Sequence, residues 1–109
     1  MKSHWANYKK EKENALVYED ENGFFSAVEF EDWFYCDEVY VVREKRDKGV
    51  MKTYEKKFIE EAKERGFKKV LGSVCISTNN CERNLLIYLK SGWKILNIDK
   101  TLIYFEKEI

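Results

Sequence analysis

EVYVVREKRDKGVMKTYEKKFIEEAKE, residues 38–64, decides how this chain folds. Its opening, Val39-Tyr40-Val41-Val42, reads as a strand, because β-branched and aromatic side chains fit a half-buried pleated surface. Its second half places Met51, Tyr54, Phe58 and Ala62 at helical spacing, with Glu and Lys filling the other face. Between the two lies a basic turn, Arg46-Asp47-Lys48-Gly49-Val50-Met51. Where a strand turns into a helix, the first backbone N–H groups have no partner inside the helix, and the helix dipole adds partial positive charge. That is the physical recipe for holding a phosphate. An ordinary basic connector has the same composition, so the meaning of this turn rests on its surroundings.

Upstream, residues 1–14 form a polar, lysine-rich arm around Trp5 and Tyr8 that the pattern leaves undefined as helix or loop. Ala15-Leu16-Val17-Tyr18 is a short strand. Asn22-Gly23 is a hairpin signal, since both residues accept positive φ. Phe24–Phe30 returns, with Phe24, Ser26, Val28 and Phe30 on one face. Glu31-Asp32 turns again into Trp33–Val42, a strand long enough to hold a bulge. Downstream, the helix Val50–Arg65 ends at Gly66, where a C-terminal glycine belongs. Val70–Ser77 is then apolar on both faces, as befits a covered strand parallel to the one before the helix. Thr78-Asn79-Asn80 breaks the chain, and Glu82–Lys90 forms a short helix burying Leu85, Leu86 and Leu89. Trp93–Ile98 and Thr101–Glu106 close the order β-β-β-α-β-α-β-β. This predicts a single α+β domain over residues 1–109, a mixed central sheet with one βαβ crossover and helices on its faces.

Composition excludes several functions. Lys plus Arg and Asp plus Glu balance at 20 each, so no net field draws nucleic acid. No apolar run approaches the length of a membrane span, and Met1–Trp5 lacks the apolar core of a secretory signal. Cys36, Cys75 and Cys81 show no CxxC spacing, which speaks for reduced thiols in the cytoplasm and against a structural metal site. A cysteine nucleophile needs a base beside it, and the sole histidine, His4, sits in the terminal arm.

Two motifs together resemble the GNAT superfamily of acyl-CoA-dependent N-acetyltransferases. The family's phosphate-binding motif, [Arg/Gln]-x-x-Gly-x-[Gly/Ala], lies between a strand and a helix, and Arg46 and Gly49 match its first and fourth positions. A second signature, Tyr-x-x-x-Gly-[Phe], is similar to Tyr88-Leu89-Lys90-Ser91-Gly92-Trp93, with Asn79-Asn80 in the loop before it. Lys63–Val70 also resembles the family's passage from helix to strand. The likeness spans Glu38–Trp93, which it marks as an acetyl-CoA-binding core in a three-layer fold. It implies that the amides of Arg46, Asp47, Lys48, Gly49, Val50 and Met51 hold the pyrophosphate of acetyl-CoA. The strand end at Val41 and Val42 would splay from Val70–Ser77 and pair with the amide-bearing arm of the cofactor. Asn79 or Asn80 would contact that arm. Tyr88 would act as general acid toward the departing thiolate, and an amine would attack directly in a ternary complex.

This sequence also departs from the family's pattern. Met51 stands where Gly or Ala is preferred, which requires its side chain to point into the core. No glutamate occurs in Val70–Ser77, where some members carry a general base. Asp37 and Glu38 are the nearest carboxylates; alternation puts Asp37 on the Val39/Val41 face and Glu38 opposite, and a bulge would exchange them. Only about 14 residues precede the first strand, so the acceptor half is missing or comes from a partner chain, which makes a homodimer an expectation. The function implied is acetyl transfer to a primary amine of a small molecule or protein. The alternative is a non-catalytic module that binds CoA or a protein through the same fold.

Overall fold

The element order appears in the chain with one helix added at its front. In the computed structural model, which describes residues 4–77 and 81–109, α1 (His4–Glu13) precedes β1 (Leu16–Asp20), β2 (Gly23–Phe30) and β3 (Trp33–Val41). A single 3-10 turn, Arg43–Lys45, leads to α2 (Val50–Glu64), β4 (Lys69–Cys75), α3 (Cys81–Lys90), β5 (Lys94–Asp99) and β6 (Leu102–Glu108). The undefined arm is thus a helix, held where Trp5 meets Phe24 edge-on at 5.3 Å and Ala6 packs with Ala15 and Val17.

All six strands join one sheet in the order β1-β2-β3-β4-β6-β5. β3 and β4 run parallel across the α2 crossover, and every other pairing is antiparallel. Helices α2 and α3 cover one face. Phe34 stacks on Phe58 of α2 at 5.3 Å, and Phe105 stacks under Tyr88 of α3 at 4.6 Å. Helix α1 covers the other face through Phe24, so the fold has three layers.

The core follows the helical stripe: Tyr54, Phe58 and Ala62 are buried against Phe25, Phe34 and Val70. Met51 is half-buried against the same cluster, as its side chain requires. The α3 expectation needs correction. Leu86 and Leu89 are 53% and 44% exposed, and the helix instead packs Cys81, Leu85 and Tyr88 inward. Those three share one stripe, whereas Leu86 lies a hundred degrees round from Leu85. The first hairpin also turns one residue early. Asp20 pairs with Gly23, so Glu21-Asn22 is the loop. Asp20 Oδ1 accepts the Asn22 N–H at 2.9 Å and fixes it.

Candidate active site

The site is a gap in the sheet. β3 and β4 pair over three positions only: Trp33 with Lys69, Phe34 with Val70 and Tyr35 with Leu71. Beyond them β3 runs on to Val41 and β4 to Cys75 with no pairing between them. The cause lies in β3. The register with β2 jumps from Ser26–Glu38 to Ala27–Cys36, leaving Asp37 as an extra residue. Such a bulge bends the strand and increases its twist, which turns the upper half of β3 away from β4. At the vertex, the Tyr35 hydroxyl and Ser73 Oγ meet at 2.8 Å and bridge the two strands.

Strand alternation settles which backbone groups enter the gap. The Val42 N–H bonds Asn22 O at 2.8 Å, on the β2 side. Val42 is therefore turned away from the gap, and Val39 and Val41 face it. Val41 O accepts the Arg46 Nε at 2.9 Å, which fits this direction.

The bulge also places the carboxylates. Ser26 pairs with Glu38, so Glu38 shares the α1 face with Ser26. Ser26 Oγ donates to Asp37 Oδ1 at 2.7 Å, which brings Asp37 to that face too. Simple alternation would have set Asp37 beside Val39 and Val41; the extra residue turns it over.

The glycine turn stands at the open end. Gly49 precedes α2 at φ 83°, ψ 8°, the left-handed region where a Cβ costs about 1–2 kcal/mol. No side chain caps this helix start, so no cap competes for its first amides, the donors on which an anion site depends. The charged side chains behave differently from the expectation. Arg46 folds back onto Val41 O and lies 5.7 Å from the Tyr40 ring. Asp47, at φ 65°, pairs with Arg83 of α3 and ties the two helix starts together. Lys48 is exposed, and Val50 is half-buried against the core. Asn79 and Asn80 lie outside the described residues.

Tyr88 is held from three sides. Its ring stacks on Phe105 at 6° and meets Trp93 edge-on at 5.0 Å. Its hydroxyl sits over Gly72, where a Cβ would lie 2.6 Å from the oxygen and 2.7 Å from a ring carbon. Burial pushes the phenol well above its ordinary range, and the nearby Cys36, Tyr35 and Glu55 push the same way; a backbone hydrogen bond with Ser73 opposes them. Tyr88 therefore stays protonated through the whole physiological range. Tyr54 is raised as well, by burial and then by its 2.7 Å hydrogen bond to Asp20. The sign for stability follows. Both phenols hold their protons more tightly folded than unfolded, so their contribution is complete below about pH 10 and is lost as pH rises above it. The thermal midpoint should hold level between neutral pH and about 9, then fall steeply above 10; an unchanged midpoint to pH 11 would show the phenols to be ordinary.

Three parts of the site were not read from the sequence. Gly72 had a signal, because a glycine inside an apolar strand marks a close approach. Glu55 is one of the many charged residues of α2, yet it accepts the Trp93 Nε1–H at 3.3 Å and lies 3.4 Å from Lys107 Nζ, fastening the Tyr88 turn to α2. The Tyr35–Ser73 bridge depends on strand pairing and has no local signal. Gly72→Ala is expected to push the Tyr88 ring aside, cost about 1–3 kcal/mol of stability and lower any turnover that depends on Tyr88. A denaturant titration of this variant within 0.5 kcal/mol of wild type, as a neutral surface change would give, would refute the close fit.

A parallel strand pair that opens around a bulge, a glycine-led helix at its mouth and a tyrosine over its floor sit in a fold that matches solved GNAT acetyltransferases. No family model matches the sequence, and no curated protein does. Solved structures do match. PaiA N-acetyltransferase from Thermoplasma acidophilum, in complex with coenzyme A, superposes with a TM-score of 0.79 at 18% identity, covering 96% of this chain and 69% of that one. A GNAT family acetyltransferase from Elizabethkingia anophelis, with acetyl-CoA bound, gives 0.74 at 15%, covering 99% and 84%. Nourseothricin acetyltransferase gives 0.73 at 16%, covering 86% and 64%. At these identities the likeness shows the fold. Among the described residues no helix is long and apolar enough to cross a membrane.

Proposed function

We propose that this chain transfers an acetyl group from acetyl-CoA to a primary amine of a small molecule or protein, in the cytoplasm where its three thiols, none in a disulfide, stay reduced. One observation carries the reading. The β3–β4 gap adjoins Gly72 of β4, over which the Tyr88 hydroxyl stands, and β3 leads through a short turn to the uncapped α2 start. These parts suit a long ligand with a diphosphate at one end and a reactive thioester at the other. The amides around Gly49 receive the diphosphate at the helix N-terminus, with Lys48 beside them. The Val39 and Val41 backbone groups pair with the amides of the pantetheine arm, as an added strand would. Bound acetyl-CoA supplies the activated acyl group and a thiolate leaving group.

The chain's own residues divide the proton work across the sheet. Asp37 and Glu38 stand on the α1 face and can accept a proton from an amine approaching there, directly or through water. Tyr88 stands on the other face, and its O–H can donate to the sulfur as negative charge develops. With its pKa raised, the phenol is always loaded but a weaker acid, so hydrogen bonding to the sulfur comes first and proton transfer follows. A backbone N–H at Val39 or Val41 can hold the developing oxyanion.

A second reading, a non-catalytic CoA- or protein-binding module, draws on the turn itself, where Arg46 and Asp47 are engaged with Val41 and Arg83. Thiol release from acetyl-CoA, measured across a panel of small amines and lysine peptides, separates the two. Amine-dependent release that rises with enzyme supports transfer; retained acetyl-CoA binding with no release from any amine supports the module.

A further inference from the structure

β5 is an open edge. It ends the sheet beside β6, and all six of its residues are exposed, with Ile95, Leu96 and Ile98 at 49%, 45% and 60%. The opposite edge differs: β1 has Val17 buried beneath α1. An apolar edge strand with unpaired backbone groups is a template for another strand.

The register says which strand fits. Asp99 and Leu102 close a two-residue turn, Lys100-Thr101, and so form a hydrogen-bonded pair. Alternation then turns the backbone of Ile98 to the open side, and its N–H is indeed met there by its own Asn97 Oδ1 at 2.9 Å. The register shifts between Ile95 and Asn97, so Leu96 is an extra residue. That bulge turns Ile95 outward as well. The edge therefore presents the backbone groups of Ile95 and Ile98, three positions apart.

We propose that β5 pairs antiparallel with β5 of a second copy of this chain about a two-fold axis. The register that sets both outward residues of each strand against outward residues places Ile95 opposite Ile98 of the second copy. Each pair then exchanges two backbone hydrogen bonds. The same register puts Lys94 opposite Asp99, opposite charges at both ends. Ile95 and Ile98 project to the α3 side with Phe105 and Ile103, their partners in β6, so four isoleucines gather on one face. The Lys94–Asp99 pairs lie on the other. Two six-stranded sheets become one continuous sheet, with an isologous interface. The Asn97 amide, now on the Ile98 N–H, gives way to a carbonyl of the second copy.

Sedimentation velocity on the full chain from about 1 to 100 micromolar tests this, a range in which a modest interface shows its equilibrium. Wild type should pass from monomer to dimer. Ile98→Lys sets like charges and a buried ammonium at the centre and should stay monomeric throughout. Lys94→Asp faces Asp99 of the second copy and should weaken the dimer roughly tenfold. Adding Asp99→Lys to it restores opposite charges and should bring the dimer back within about threefold of wild type. Since these side chains are exposed in the monomer, circular dichroism should show every variant folded. Wild type that stays monomeric overturns the proposal and leaves the edge to another partner. A dimer indifferent to Ile98→Lys, or a double variant as weak as Lys94→Asp alone, also overturns it. If Ile98→Lys fails to fold, the charge exchange alone decides.

Discussion

Tyr88→Phe is expected to lower the turnover number by about 10²–10⁴-fold, the usual worth of a positioned general acid, while acetyl-CoA binding stays within about threefold of wild type. The phenyl ring keeps the stack on Phe105 and the edge contact with Trp93, so only the oxygen over Gly72 is lost. Removing it leaves the Ser73 backbone group short of one hydrogen bond, which costs about 1 kcal/mol of stability. Steady-state kinetics with saturating acetyl-CoA and a responsive amine gives the answer. The pH profile adds a readout that packing alone would not move. With its pKa raised, wild-type Tyr88 imposes no alkaline limb below about pH 10, so any fall in rate between 8 and 10 belongs to another group. A turnover number within threefold of wild type, below the range of general acid catalysis, would assign Tyr88 to packing only.

Phe34→Ala is expected to remove about 3–5 kcal/mol of stability, a large part of the roughly 5–15 kcal/mol that holds a domain of this size together. Phe34 is fully buried on β3, stacked on Phe58 at 5.3 Å and beside Phe67 at 5.6 Å, with the Arg65 guanidinium 4.9 Å from its ring. It is also the middle of the three β3–β4 pairs. A cavity there loosens the paired stretch that leads to the vertex of the gap, so ligand binding should suffer with stability. Urea titration with an unchanged slope and a lowered midpoint would report it. A loss below about 1.5 kcal/mol, the scale of a conservative core swap, would mean that α2 collapses onto the site and that the vertex does not depend on Phe34.

The readable parts of this fold are those with local causes. Gly49 between a β-branched strand and a helical stripe gave the crossover, the helix start and the anion-friendly turn in one reading. Tyr88 before Ser91-Gly92-Trp93 could be placed because helix end and aromatic spacing are local signals. What escaped the sequence depends on pairing. The bulge at Asp37 has no residue signature of its own, yet it opens the gap, turns Asp37 to the Ser26 face and directs Val39 rather than Val42 into the slot. The α3 stripe was misread because four apolar side chains in Leu85-Leu86-Ile87-Tyr88-Leu89 permit more than one face, and only the position of Phe105 chooses Tyr88. Glu55 looks like any charged residue on α2 until Trp93 and Lys107 converge on it from distant parts of the chain. Gly72 alone among these carries a local signal, a glycine inside an apolar strand.

Equilibrium dialysis with labelled acetyl-CoA tests the central claim most directly, that the β3–β4 gap beneath Gly49 is a cofactor slot. Saturable binding of one equivalent per chain, with a Kd below about 100 micromolar and displacement by unlabelled CoA, is the expected result. Gly49→Ala, whose Cβ strains the turn without meeting another atom within 4 Å, should weaken it at least tenfold. No retention of label at about 1 mM ligand by the folded chain would contradict the account.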